Sequence, residues 1–442
     1  VYIGFSSSDY AYRRLDDLAS IDSTVMTGNT ASIAANRLSY FFDLRGPSMA
    51  VDTACSSSMV AFHQACQSIR SGESSQALVG GISLHLHPFS FVGFSKASML
   101  SERGICNVFD ASGDGYVRSE GGGIFLLKNL DEAIADGNRI YAVVEGSGVN
   151  CDGKTNGITV PGFETQADLL KSVYVSSGIP ISDIDYFEAH GTGTAVGDPI
   201  EARAIGHALG QYRAPDKPLL IGSVKSNLGH LEAASAVAGL VKALYVIRHG
   251  VVPPTIHLKN PNPHIHFKDW NLKVVTEATQ LQKNKKLVVG INSFGFGGAN
   301  AHVILRAYSN KVVTDSCSVS KNGSPLLLSA KSDEALRDLA ASYASHLQHN
   351  PDQQLYDVAY QAWFGRERHV NAALFSCDDR QKLISELREF SGNGNAVQEE
   401  LLEQASKPVF VYSGNGSQWL GMGQQLLQES TLFREAVERV DQ

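Results

Sequence analysis

Cysteine is scarce in this chain: there are six among 442 residues, with no CxxC pair and no His/Cys cluster at zinc spacing. That argues against a structural metal site and a disulfide framework, and it favours a reducing compartment, the cytoplasm. Long apolar runs are missing too. None approaches the roughly 20 residues needed to span a bilayer, so no membrane is expected, and no signal peptide is visible. No basic run or Arg/aromatic interleaving accompanies the net charge of −8, so nucleic acid has no support as a partner. Internal repeats and low-complexity tracts are absent. Hydrophobic residues make up 43% against 19% charged, which suffices for a sizeable core in two or three domains.

From Val1 to about Leu305 short β-branched runs alternate with helical stretches. The segments 47–54, 76–85, 121–129, 141–149, 217–224, 286–294 and 301–307 read as strands, and TQADLLKSVYVSSG and LEAASAVAGLVKALYVIRHG as helices between them. Mostly apolar strands alternating with helices imply sheets covered on both faces, hence a layered α/β domain. A polar connector, 308–325, follows. LLLSAKSDEALRDLAASYASHL then reads as a strand leading into a helix, with Ser332 as N-cap and Leu336, Leu339, Tyr343 and Leu347 on one face. With LYDVAYQAWF and DRQKLISELREF it makes a small α/β unit over 326–406. KPVFVYSGNGSQWLGMGQQLL, within 407–442, reads as a buried strand, a glycine turn and a new helix. The chain looks cut at both ends, since VYIGF reads as a strand in progress and FREAVERVDQ as an unfinished helix.

Four stretches carry chemistry. In VDTACSSSMVAFHQAC, Cys55 falls between an extended run and a helix starting near Ser56. A sulfur at a helix N-terminus meets unpaired N–H groups that stabilise thiolate, yet Cys is also among the most buried residue types, and the stretch alone leaves both readings open. In EAHGTGTAVGDPIEA, His190 follows a strand and precedes a Gly/Thr loop in which Thr192 and Thr194 can face one way; a ligand-facing and a structural imidazole remain equally open. VKSNLGHLEAASAVAGL places Lys225 five residues before His230, which enters a small-residue helix; a helix–sheet contact with a solvated Lys is the alternative. INSFGFGGANAHV alternates Phe294 and Phe296 with Gly295, Gly297 and Gly298 just before a strand. It is a tight corner between strands, or a loop whose backbone N–H groups approach a ligand, and it is not a nucleotide fingerprint because no helix follows.

Together these stretches resemble the ketosynthase of type I polyketide synthases and of the similar animal-type fatty acid synthase. The carrying motifs are DTACSSS (52–58), EAHGTGTAVGDPIEA (188–202), KSNLGH (225–230) and NSFGFGGANAHV (292–303), supported by LSYFFDLRGPS (38–48), FDASGDGYVRSEGGG (109–123) and NCDGKTNGITVPG (150–162). The resemblance runs from Val1 to about Leu305. The 326–406 segment resembles the linker domain that follows such ketosynthases, and VYSGNGSQWLGMG (411–423) the opening of an acyltransferase domain. It implies a thiolase-like layered α-β-α-β-α fold, incomplete in its N-terminal half because the family begins roughly a hundred residues earlier, plus a small α/β linker domain. It implies that Cys55 carries the acyl chain, that His190 and His230 bind the extender thioester carbonyl and promote its decarboxylation, and that Lys225 tunes them. The N–H groups of Cys55 and Phe296 would form an oxyanion hole, with Phe296 gating the pocket. Thr192 and Thr194, with Phe294, Gly297 and Gly298, would hold the phosphopantetheine arm of an acyl carrier protein. No metal or directly bound cofactor is implied, and the implied partners are the carrier protein, a second copy and further synthase domains. Asn36, Ser119, Ala299 and Asn415 depart from the family's usual Gly, Gly, Thr and Gln. None of these removes a catalytic group.

The residue types fit that chemistry. A thiolate is both nucleophile and leaving group, and the charge that develops during decarboxylation falls on an oxygen that two imidazole N–H donors can stabilise. A thiolase would need a second catalytic Cys in the glycine loop, which has none. A Cys–His hydrolase does not call for two histidines and a Lys. A non-catalytic scaffold, or an inactive fragment, is the alternative from another class.

Overall fold

The computed structural model describes residues 1–309 apart from 7, 14–16 and 283–285, then 325–394 apart from 378, then 397–398, 416 and 418–441. Most of the polar connector and the expected strand that opens 407–442 lie outside the described residues, as do Cys317 and Asn415. The chain forms two compact units, Val1–Lys311 and Val312–Gln442.

The first unit is built in layers around two sheets. One sheet has four strands in the spatial order Met49–Val51, Tyr2–Gly4, Gln76–Ser83, Gly121–Lys128. Its first three strands are parallel (Tyr2 opposite Met49 and Val79), and the last is antiparallel, with Gln76 opposite Lys128. The other sheet has six strands, ordered Val143–Cys151, Ala299–Arg306, Val288–Phe294, Ile184–Glu188, Leu219–Gly222, Leu272–Val274. Helices Ser57–Arg70 and Ser235–His249 touch strands of both sheets and form the middle layer. Helix Ser32–Phe41 covers the first sheet, and Phe163–Ser177 with Gly197–Ala208 covers the second.

The middle layer explains why its helices are so poor in large residues. Ser235–His249 buries Ala236, Gly239, Leu240, Ala243 and Val246. Ser57–Arg70 buries Met59, Ala61, Phe62 and Ala65. Small side chains let helices lie close to sheets on both sides, and each fully buried Leu, Met or Phe still contributes about 1.5–3 kcal/mol. Gly121–Lys128, at the edge of its sheet, alternates and leaves Ile124 and Leu126 exposed, whereas every residue of Val288–Phe294 is buried. Full burial is the signature of a strand covered twice. All seven expected strands are present.

The second unit holds an antiparallel three-stranded sheet, Leu326–Ala330, Asn371–Phe375 and Val397–Gln398. Helices Asp333–His349, Leu355–Phe364 and Arg380–Asn393 accompany it. The Ser332 hydroxyl accepts the N–H of Ala335, the expected cap. Leu336 and Leu347 are fully buried, with Leu339 and Tyr343 packed beside them. Helices Gln424–Glu429 and Thr431–Asp441 follow later in the chain. Among the described residues no helix is long and apolar enough to cross a membrane.

Candidate active site

Cys55 lies in a tight corner. The strand Met49–Val51 passes through Asp52 and Thr53 into a short 3-10 turn, Ala54–Ser56, which runs on into helix Ser57–Arg70. Ala54 takes φ 55°, a left-handed backbone that a non-glycine residue adopts only when its surroundings enforce it. They do. The Asp52 carboxylate accepts the Ala54 N–H at 3.0 Å, and the Ser57 hydroxyl accepts the Thr53 N–H at 2.9 Å. The Cys55 carbonyl accepts hydroxyls from Ser235 and Ser293, both at 2.9 Å. The residue is thereby pinned between two helix starts and the end of the Val288–Phe294 strand.

The thiol does not behave as its helix-terminal position suggests. Burial raises its pKa to about 12, with the Glu232 carboxylate adding to the rise. Lys225 and the N–H groups of Phe296 and Cys55 itself pull the other way and are outweighed. The helix end alone therefore does not make a thiolate here; burial keeps the sulfur a neutral thiol. The Phe296 and Cys55 N–H groups both point at the sulfur.

Both expected histidines belong to the same neighbourhood: Ser293 bonds the Cys55 carbonyl and its neighbour Phe294 bonds His190, while Glu232 acts on the thiol and bonds His230. The His190 and His230 rings lie 5.4 Å apart, nearly perpendicular at 83°. Nδ1 of His190 accepts the Phe294 N–H at 3.3 Å, and Nδ1 of His230 accepts the Glu232 N–H at 3.0 Å. A neutral imidazole whose Nδ1 accepts a backbone proton must carry its own proton on Nε2. Neutral they are: burial, reinforced by the Lys225 charge, holds both pKa values well below the usual histidine range. The site thus offers two Nε2–H donors and no imidazole lone pair to take a proton from the thiol.

Lys225 is buried, not solvated, and its Nζ donates to the His190 carbonyl at 2.6 Å. Burial lowers its pKa, while Glu188 and Glu201 oppose that. His230 precedes its helix by five residues, since the helix begins at Ser235; a glycine at 229 with φ 79° turns the chain between Lys225 and His230. The Thr192 and Thr194 hydroxyls meet at 3.1 Å. The glycine stretch is the turn between two antiparallel strands, so the tight-corner reading also holds. A Cβ on Gly295 would come within 2.3 Å of the Thr53 carbonyl oxygen, and Gly298 takes φ 89°. Gly297 faces open space. Phe294 is buried, with its ring 5.7 Å from that of His190. Phe296 is 45% exposed and meets Phe94 edge-on at 5.7 Å.

Several supporting residues escaped the sequence reading, although they lie inside the quoted stretches. Glu201 accepts the N–H groups of His190 (2.7 Å) and Gly191 (2.8 Å) and the Asn292 amide (2.9 Å). Asp198 accepts those of Thr192, Gly193 and Phe109. Burial raises the pKa of Asp198 to about 7 despite those bonds. The two carboxylates hold the Gly/Thr loop from beneath. Their i, i+3 spacing in GDPIEA was the available signal. Among the described residues no cluster able to hold a metal ion occurs.

Four family models match the chain. Residues 1–133 match the family model for the β-ketoacyl synthase N-terminal domain, and 141–259 that for its C-terminal domain. Residues 261–369 match the ketoacyl-synthetase C-terminal extension, and 409–442 the acyl transferase domain. The hybrid PKS-NRPS synthetase pytA of Aspergillus terreus is 39% identical over 458 residues, covering all of this chain and 68% of its own length. A phenolphthiocerol/phthiocerol polyketide synthase of Mycobacterium tuberculosis is 43% identical over all of this chain, which spans only 24% of that longer protein. Among solved structures, the ketosynthase from module 6 of the Bacillus subtilis bacillaene synthase superposes with a TM-score of 0.78 at 37% identity, covering 90% of this chain and 69% of that one. The oxazolomycin ketosynthase domain of Streptomyces albus gives 0.79 at 31% identity, covering 90% and 69%. The chain belongs to the β-ketoacyl synthase family, with the thiolase-like fold of the ketosynthases of polyketide synthases. The scaffold alternative has no support in these matches.

Proposed function

We propose that this chain contributes the carbon–carbon bond-forming step of a type I polyketide synthase, a decarboxylative condensation between an acyl group on Cys55 and a malonyl-type extender on an acyl carrier protein. The observation that carries the reading is the pair of neutral imidazoles, His190 and His230, each with Nδ1 occupied by a backbone N–H and Nε2–H free to donate.

In the first half-reaction the Cys55 sulfur attacks the incoming thioester carbonyl, and the carrier's sulfur leaves with the proton that the thiol gives up. Phe296 and Cys55 N–H groups bind the oxyanion. In the second, the bond between the extender's α-carbon and its carboxylate breaks, and the carboxylate leaves as carbon dioxide. Its electron pair moves toward the thioester oxygen, where two Nε2–H donors in a dry pocket stabilise the charge. The α-carbon then attacks the acyl-Cys55 carbonyl, and the thiolate leaves and takes up a proton. Lys225 acts on this pair through the His190 backbone and its own charge. Thr192 and Thr194 face the phosphopantetheine arm, as do Phe294, Gly297 and Gly298 at the loop, and Phe296 gates the mouth. A Cys–His hydrolase reads less well, because neither imidazole has a lone pair aimed at the sulfur.

Residues 1–307 form the ketosynthase domain, 308–325 a connector, 326–406 the linker domain and 407–442 the opening of an acyltransferase. Among the described residues the strand Met49–Val51 is a sheet edge, which favours pairing with a second copy as a homodimer. Free thiols at Cys55, Cys66, Cys106 and Cys151 suit the cytoplasm. The test separates the half-reactions. His190→Ala and His230→Ala each lower extender decarboxylation by on the order of 10²–10³, while Cys55 still takes an acyl group from a thioester. Retained condensation in either variant refutes the assignment.

A further inference from the structure

We propose that the Arg118–Glu232 ion pair is a positioning device for His230: by clamping Glu232 in a left-handed backbone conformation, it aims the Glu232 N–H at Nδ1 of His230 and keeps the ring proton on Nε2. The inference rests on the role of His230 just given.

The clue is a backbone outlier. Glu232 takes φ 48° at the start of a 3-10 turn, Glu232–Ala234. A long, unbranched side chain has no intrinsic reason to sit there, and such outliers persist where their surroundings over-determine them. Here the restraint is visible. Arg118 grips the Glu232 carboxylate with both arms of its fork, Nε to Oε1 at 2.6 Å and Nη2 to Oε2 at 2.7 Å. Only 3% of the Arg118 side chain and 14% of the Glu232 side chain are exposed, so water does not compete. The guanidinium is itself held, 4.4 Å over the Phe91 ring and 5.6 Å from that of Phe94.

The same segment fixes the His230 backbone. The His230 N–H donates to the Val117 carbonyl at 2.7 Å, and the Ser119 N–H donates to the His230 carbonyl at 3.0 Å. Arg118 thus lies between the two residues that bond the main chain of His230, and its side chain reaches round to the residue that bonds the ring. Main chain and ring are set from one short segment. A Lys at 118 would supply the charge without the planar two-armed grip.

The experiment uses the purified protein with two probes, a malonyl thioester of a phosphopantetheine mimic for decarboxylation and an acetyl thioester for Cys55 loading. Glu232→Val removes the clamp and strongly disfavours positive φ; decarboxylation falls on the order of 10²-fold, while loading is not slowed, since losing the Glu232 charge favours the Cys55 thiolate. In the double variant Arg118→Met with Glu232→Gly, glycine takes the left-handed conformation without strain, and decarboxylation stays within about tenfold of wild type. A double variant as slow as Glu232→Val overturns the proposal, because the charges and not the backbone then matter. Should Glu232→Val fail to load, Arg118→Lys decides: decarboxylation reduced about tenfold with loading intact supports the clamp, and unchanged decarboxylation overturns it. The nitrogen NMR shifts of the His230 ring read the clamp without activity, as an Nε2–H tautomer in wild type and a mixture in Arg118→Lys; a pure Nε2–H ring in both overturns it. His230→Ala, run alongside, shows by retained decarboxylation that the catalytic assignment has failed, and the ring shifts still judge the clamp.

Discussion

Replacing His302 with Phe and measuring stability at two pH values isolates one imidazole's contribution to acid sensitivity. His302 is completely buried in the Ala299–Arg306 strand, stacked on Phe187 with ring centroids 5.4 Å apart and an interplanar angle of 13°. Its Nδ1 pairs with Oδ1 of Asn292 at 2.8 Å, and Nε2 has no hydrogen-bond partner among the described residues. Burial lowers its pKa from 6.5 to about 3. The unfolded chain therefore binds a proton near pH 6.5 that the folded chain refuses, so the stability this ring contributes is fully present above pH 6.5 and is lost as pH falls toward 3. At pH 4.5 the loss spans two pH units, on the order of 3 kcal/mol. Asp198 works in the opposite sense, because its raised pKa means the folded chain gains protons first between its unfolded value and about 7. Comparing wild type with His302→Phe cancels that contribution. Urea unfolding at pH 7.5 and 4.5 is the assay. At pH 7.5 the variant is less stable by about 1 kcal/mol, for the lost hydrogen bond; the drop to pH 4.5 then costs wild type about 2–3 kcal/mol more than it costs the variant. Equal losses in the two proteins refute the reasoning.

Two further outcomes follow from the site. Gly295→Ala drives a Cβ into the Thr53 carbonyl, 2.3 Å away, which shifts the loop bearing the Phe296 N–H; Cys55 loading by an acyl thioester slows by about tenfold or more, and an unchanged rate disproves the contact. Because the Cys55 pKa is raised to about 12, alkylation of the unloaded thiol by iodoacetamide is slow at neutral pH and climbs steadily to pH 10; a plateau below pH 8 means the thiolate is already stabilised at rest.

Where a residue's part is set by its own strand or turn, the sequence was enough. Strands such as 286–294 and 301–307 announce themselves as apolar runs because helices cover both faces, and Ser332 caps the helix it precedes through a bond three residues long. The positions of Cys55, His190 and Phe296 just past strands were legible for the same reason, as was that of His230 in a loop before its helix. What was illegible depends on partners distant in the chain. The high thiol pKa of Cys55 arises from burial and a carboxylate at residue 232, which cannot be read from the helix that follows it. The tautomers of His190 and His230 are set by the N–H groups of Phe294 and Glu232, one supplied from another strand and one from an unusual backbone angle. Nothing in the sequence links Arg118 with Glu232, which become a buried pair only once residues 116–119 lie against residues 229–230.

The most direct measurement is peptide mapping by mass spectrometry after incubation with an acyl thioester. The acyl group is expected on Cys55, removable by hydroxylamine and discharged when a malonyl thioester is added. An acyl group found on Cys66, Cys106 or Cys151 in place of Cys55, or one on Cys55 that malonyl thioester leaves untouched, contradicts the account.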